Sequence, residues 1–216
     1  MGIISRFPAG ATKPYIEEIY NSDGKLIDAK MYGYEAIRNH AFYSCTSLAS
    51  ISLPSGITRI GNNAFYFCSR LALTSLPSGI TSIGSYAFMS CSNLALTSLP
   101  SGITNIGNNA FEGCTNLALT TLPSGITNIS VGAFADCTSL ALTTLPSGII
   151  SIGNYAFAEC SSLASLTFEG TPENIGASAF VGCNNLTTIN VPWAEGAVAN
   201  APWGATNATI HYGYTG

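Results

Sequence analysis

Residues 91–111 read CSNLALTSLPSGITNIGNNAF, and the frame they set recurs along almost the whole chain. Phe42, Phe65, Phe88, Phe111, Phe134, Phe157 and Phe180 stand 23 residues apart, each followed three residues later by Cys and six later by Leu. A fixed period of this size marks one supersecondary unit stacked on copies of itself, a solenoid. Shape is therefore the first property specified, and a surface for binding is the use that shape suggests.

Four columns do not vary across the seven copies: Ala (41, 64, 87, 110, 133, 156, 179), Phe, Cys and Leu. An Ile column at 37, 60, 83, 106, 129, 152 and 175 also holds, and a second at 57, 80, 103, 126 and 149 holds until Pro172 interrupts it. Invariant apolar columns predict core. One copy cannot bury enough apolar surface to fold alone, so stability has to come from each coil covering its neighbour and from hydrogen bonds between coils. The Leu-rich stretch before each Pro predicts a short strand ended by a Pro-Ser-Gly turn, and stacked copies predict a parallel sheet. The ITxIG stretch predicts a second extended piece on the opposite side, and NNAFxxC a short helical or 3₁₀ turn that drops Phe inward. Copies in register rise about 4.8 Å, so seven span roughly 34 Å.

The pattern CxxLxxIxLPxxIxxIGxxAF resembles the BspA-like class of leucine-rich repeats and covers about three quarters of the chain. The resemblance implies a leucine-rich-repeat solenoid, a right-handed stack of about seven 23-residue coils with a parallel β-sheet on one face and short strands and turns on the others. Proteins of that class are found largely on the surfaces of anaerobic bacteria and mucosal protozoa, where members act in adhesion to host proteins or other cells. Its motif residues are structural, so no functional residue carries over. The expected domains are a hairpin-bearing cap (1–30), seven repeats (31–192) and a second cap (193–216).

One irregularity is systematic. Copies one, six and seven carry an apolar residue three after Leu: Ile51, Leu166 and Ile189. Copies two to five place Thr74, Thr97, Thr120 and Thr143 there and move the apolar residue one earlier, to Leu73, Leu96, Leu119 and Leu142. A one-residue move in a strand exchanges faces. In the ordinary register those leucines form an exposed stripe that marks a binding or assembly face, with Ser75, Ser98, Thr121 and Thr144 beside it. A one-residue bulge would instead return the leucines to the core and spare four threonine hydroxyls from burial.

Charged residues make up 8% of the chain, against about 25% in an average soluble protein, so Gly, Ser, Thr and Asn carry the solubility. All seven Lys and Arg lie at or before Arg70, whereas Glu112, Asp136, Glu159, Glu169, Glu173 and Glu195 lie after it. Nothing in the last two thirds can neutralise phosphates, which argues against nucleic acid and anionic membrane surfaces as partners. No apolar run approaches the roughly 20 residues of a membrane span. The opening MGIISRFPAGATKPY lacks the basic stretch and long apolar core of a secretory leader.

The seven cysteines share one column, an odd number at a spacing no disulfide framework uses. In-register neighbours hold Cβ atoms about 4.8 Å apart, longer than the roughly 3.8 Å a disulfide prefers, so buried reduced thiols are expected. No second ligand type accompanies the column, so no metal and no cofactor are implied. Catalysis needs unlike groups brought together, whereas a repeat supplies like groups in rows. Asp136 and Glu159 share a column in adjacent coils and could meet the roughly 5 to 9 Å separation of a glycosidase pair, but turn-borne acids of any function would do the same.

Residues 15–31, YIEEIYNSDGKLIDAKM, carry a turn signal between two strand-like arms, a hairpin that would cap the first coil. At the other end the period is lost. A short alanine-rich helix is expected between Pro192 and Pro202, then a strand through Thr209 and His211, with Trp193 and Trp203 covering the last coil or, alternatively, lining an aromatic ligand site. The reading is a non-enzymatic binding or adhesion module, on a cell surface or secreted, contacting a protein or glycan through its sheet face as a monomer. A structural spacer or self-assembling stack is the alternative, and a glycan-active enzyme ranks last.

Overall fold

The computed structural model describes residues 2–5 and 14–216, so most of the opening MGIISRFPAGATKPY, read as lacking the features of a secretory leader, lies outside the described residues. The chain winds into coils 23 residues apart, numbered one to seven by the phenylalanines 42 to 180. The isoleucine side carries the longest sheet. Its strands are β4 (Ala36–Ile37), β6 (Arg59–Ile60), β7 (Ser82–Ile83), β8 (Asn105–Ile106), β9 (Asn128–Ile129), β11 (Ser151–Ile152) and β13 (Asn174–Ile175), all parallel, with each Ile opposite the next. Each strand is only two residues long, because Gly follows the Ile in most coils. A Cβ added to Gly84 would sit 2.6 Å from the Asn62 backbone nitrogen, so at this corner the preceding coil leaves no room for a side chain.

The leucine side is laddered only at its two ends. Near the start, β1 (Gly2–Ser5), β2 (Tyr15–Tyr20) and β3 (Leu26–Tyr32) pair antiparallel, and β3 pairs parallel with β5 (Ser50–Ser52) of coil one. The β2–β3 turn is held by Asn21, whose Oδ1 accepts from the amides of Asp23 and Lys25 at 3.0 and 2.9 Å. Near the end, β10 (Thr144–Leu145), β12 (Ser165–Phe168), β14 (Thr188–Asn190) and β15 (Thr209–His211) form a parallel sheet. The continuous sheet therefore runs along the isoleucine side, not the leucine side where the Leu-rich strands predict it.

Coils two to four explain the gap. In coil one the core positions Leu48 and Ile51 are separated by two outward residues, Ala49 and Ser50. In LALTSLP the alternation starts at once: Leu71 and Leu73 turn inward around Ala72, and the two-residue outward step falls later, at Thr74 and Ser75. The expected exposed stripe is thereby corrected. Leu96, Leu119 and Leu142 are buried, Leu73 is half-buried, and Thr74, Thr97, Thr120 and Thr143 are exposed. Burying a leucine contributes about 2 kcal/mol. The ladder bonds lost by moving the step contribute about 1 kcal/mol each and can be replaced by water, so burial wins.

The third side is the Phe turn. Its successive turns close with bonds from Ala64 N–H to Gly61 O, Tyr66 N–H to Asn63 O and Cys68 N–H to Phe65 O. They do not join into the expected helical or 3₁₀ piece, because Asn63 (φ 54°) and Phe67 (φ 59°) are left-handed. Such residues recur four apart: His40 and Ser44, Tyr86 and Ser90, Asn109 and Gly113, Gly132 and Asp136, Tyr155 and Glu159. Breaking the helix frees alternate amides to bond the following coil, as Phe42 N–H does to Ala64 O at 2.8 Å and Phe65 N–H to Ala87 O at 2.7 Å. On the isoleucine side the donors point the other way, Gly61 N–H to Ile37 O.

Inside, the seven phenylalanine rings stack in one column at 5.2 to 5.6 Å between centroids, with interplanar angles of 3 to 8°. The C-terminal segment makes a further, irregular turn. Thr209 pairs with Thr188, 21 residues earlier instead of 23, and Phe180 N–H donates to the Trp203 carbonyl at 2.9 Å. The expected alanine-rich helix is absent: Gly196, Asn200 and Trp203 have positive φ, so the segment runs as turns. Trp193 and Trp203 are buried against Phe168, which corrects the alternative of an open aromatic ligand site there.

Candidate functional site

The cysteine column belongs to the core. Six of the seven thiols are buried and Cys45 is half-buried, and all seven are free. Each buried Sγ donates to the carbonyl of the Phe in the preceding coil, Cys68 to Phe42 at 3.0 Å and Cys114 to Phe88 at 3.0 Å. That one bond accounts for a thiol at this position in coils two to seven, where it caps a carbonyl on the turn without a larger polar group, whereas Cys45 of coil one lies 4.0 Å from the Tyr43 carbonyl. Burial pushes the thiols up, Cys68 to about 12 and Cys183 to about 11, so these groups stay protonated and unreactive.

Asp136 and Glu159 stand on the outer side of the Phe turn, both exposed on left-handed backbone. The structure brings them to neighbouring coils, and among the described residues neither carboxylate accepts a hydrogen bond.

The eight residues singled out on the leucine side divide by chemistry. The four leucines face in. Ser75, Ser98 and Thr121 are exposed and Thr144 is half-buried within β10. Beside them lies a property not legible in the sequence. In coils two to four the amides of residues 73–76, 96–99 and 119–122 donate to no group of the described protein, and one bond per coil, such as Ala95 N–H to Leu73 O at 3.0 Å, links this side to the next. The result is a strip of hydroxyls and unpaired backbone groups three coils wide. Where the coil-one strand meets the altered coil two, the mismatch opens a cleft of about 380 Å³ lined by Ile51, Leu53, Ser55, Leu73, Ser75 and Pro77. No charged residue occurs in 48–56, 71–79, 94–102, 117–125 or 140–148.

A wider groove of about 570 Å³ lies at the start of the isoleucine sheet, where Arg38 and Arg59 stand over Gly61 and Gly84. The sequence signal for it is positional: Arg38 occupies the column that holds Gly in coils two, three, four, six and seven.

A family model described as the BspA type leucine rich repeat region matches residues 27–141 and 86–195, in six copies. Among solved structures, a leucine-rich repeat protein from Bacteroides ovatus aligns with 20% identity over 97% of this chain and 75% of its own, at a TM-score of 0.50. The leucine rich repeat protein of T. pallidum aligns with 24% identity over 86% of this chain and 84% of its own, at a TM-score of 0.46. A leucine rich cell surface protein from Faecalibacterium prausnitzii aligns with 19% identity over 98% and 95%, at a TM-score of 0.30. No curated protein matches the sequence.

Proposed function

Because this chain belongs to the BspA-type leucine-rich repeat family, we propose that it is a non-enzymatic binding module, on a cell surface or secreted, whose leucine side takes an uncharged glycan. The observation that carries this reading is the strip in coils two to four, where exposed Ser75, Ser98 and Thr121 flank amides with no partner among the described residues. Unpaired donors and acceptors in a regular row are what a polyhydroxylated chain satisfies, one sugar hydroxyl after another. The absence of charge on this side fits a neutral ligand, and the cleft beside Ser75 offers a concave end to the row. Copies in register repeat the same contacts about every 4.8 Å, which suits a polymer better than a compact ligand. Among the described residues no helix is long and apolar enough to cross a membrane, so the reading needs no span.

The test is capture on an array of neutral and charged glycans, mucins and matrix proteins, with the parent chain beside a variant carrying Ser75→Glu, Ser98→Glu and Thr121→Glu. These side chains are exposed, and circular dichroism checks that the variant remains folded despite the like charges in adjacent coils. The reading expects neutral glycans to be captured by the parent and lost in the variant. Capture of protein alone, or glycan capture that the three substitutions leave unchanged, contradicts it.

A further inference from the structure

Of the nine large apolar side chains left exposed among the described residues, three lie in coils one to three on one edge. Tyr43 (48% exposed), Phe67 (42%) and Tyr86 (39%) stand on the outer edge of the Phe turn in coils one to three, with Tyr66 half-buried among them. Tyr43 and Tyr66 stack at 4.9 Å, and Tyr66 meets Phe67 at 4.7 Å, so they form one patch. Coil packing does not require them. The column of Phe67 elsewhere holds Ser90 and Gly113, and that of Tyr86 holds Asn63 and Asn109, with one further tyrosine, Tyr155, in coil six. Phe67 and Tyr86 are also left-handed, both with φ 59°, a conformation bulky residues avoid. A side chain that is exposed and sits on strained backbone costs the fold twice, which points to a contact outside it.

Further along, the same edge gains acids, with Tyr155 among them in coil six. Glu112, Asp136 and Glu159 follow in coils four to six, and no Lys or Arg occurs beyond Arg70 to neutralise them. We propose that this edge docks an extended peptide segment of a partner protein, its aromatic or proline-bearing end on Tyr43, Tyr66, Phe67 and Tyr86 and its lysine- or arginine-bearing end over Asp136 and Glu159. From Phe67 to Glu159 is four coils, about 19 Å, which about six residues of extended chain span at roughly 3.3 Å each. Apolar burial supplies the anchor, and the acids steer and orient the basic end. Nucleic acid is the wrong sign for this edge. The site lies on a different side from the hydroxyl strip, so each stands or falls without the other.

The probe is a fluorescein-labelled peptide, Trp-Pro-Phe-Gly-Ser-Gly-Lys-Lys-Lys, titrated with the full chain by fluorescence anisotropy at low and high ionic strength. Saturable binding is expected, weakened about tenfold by Phe67→Ser with Tyr86→Asn. Asp136→Asn with Glu159→Gln is expected to weaken it several-fold and to remove most of its salt dependence. The aromatic replacements are residue types already present in those columns, and circular dichroism confirms that each variant is folded. Equal binding of a control peptide with Ser in place of Trp and Phe overturns the proposal. So do unchanged binding by both variants, a lack of saturable binding, and sedimentation showing that a second copy of the chain covers the edge.

Discussion

The residues that repeat without change and those that vary have separate jobs, and both are visible one side chain at a time. From coil two onward, Cys at each turn donates its thiol to the preceding coil's Phe carbonyl, as Cys91 does to Phe65 at 3.0 Å. Because burial raises these thiols, the folded chain holds protons that the unfolded chain releases near pH 8.5. The sign follows: stability is fully present below that pH and falls as pH rises towards 11 or 12, where Cys183 and Cys68 titrate in the fold. Urea midpoints compared between neutral and strongly alkaline pH should show this fall, and Cys114→Ala should make it shallower. Left-handed positions give a second prediction. Glu159 (φ 57°) shares its column with Gly113 and Gly182, so Glu159→Gly should raise stability by about 0.5 to 1 kcal/mol in urea denaturation. The sequence did carry this signal, in Asn109 and Gly113 four apart and in Gly132 one period after Asn109. Aromatic and acidic residues in the same columns hid it.

At the level of the element, the period and its core columns were legible because like residues recur at like positions. Which side would carry the continuous sheet was not. Both sides alternate, and the outcome turned on where a two-residue outward step falls. LASISLP in coil one places the step early and leaves Ser50–Ser52 free to pair with β3. LALTSLP in coil two places it at Thr74 and Ser75, and the ladder stops. No propensity distinguishes the two, since both bury apolar side chains and differ only in which ladder bonds survive. The double change Leu73→Ser with Thr74→Ile converts coil two to the coil-one sequence. It should extend the β3–β5 pairing by one strand, protecting amides 73–76 from exchange while changing stability by no more than about 1 kcal/mol. If those amides stay unprotected, the step is not what interrupts the ladder. The aromatic edge was equally hidden, because Tyr43, Phe67 and Tyr86 fall in columns that look like scatter until the turn places them on one side.

The whole molecule is a one-dimensional stack whose three sides have unequal order: a continuous isoleucine sheet, a Phe turn laddered by forward-pointing amides, and a leucine side open between two sheets. Its charge is also graded, with every cation at or before Arg70 and only acids beyond. A repeat array built this way holds its shape through neighbour contacts and can leave one side unbonded without unravelling, because the other two sides carry the register. That open side is where the glycan reading places contact. Site-resolved amide hydrogen exchange over the full chain tests this most directly. The amides of Gly61, Gly84 and Gly107, each bonded to the Ile carbonyl of the coil before, should exchange slowly, and those of residues 73–76, 96–99 and 119–122 near the unprotected rate. Equal protection on the two sides would mean that the leucine side is laddered throughout, and the open strip would not exist.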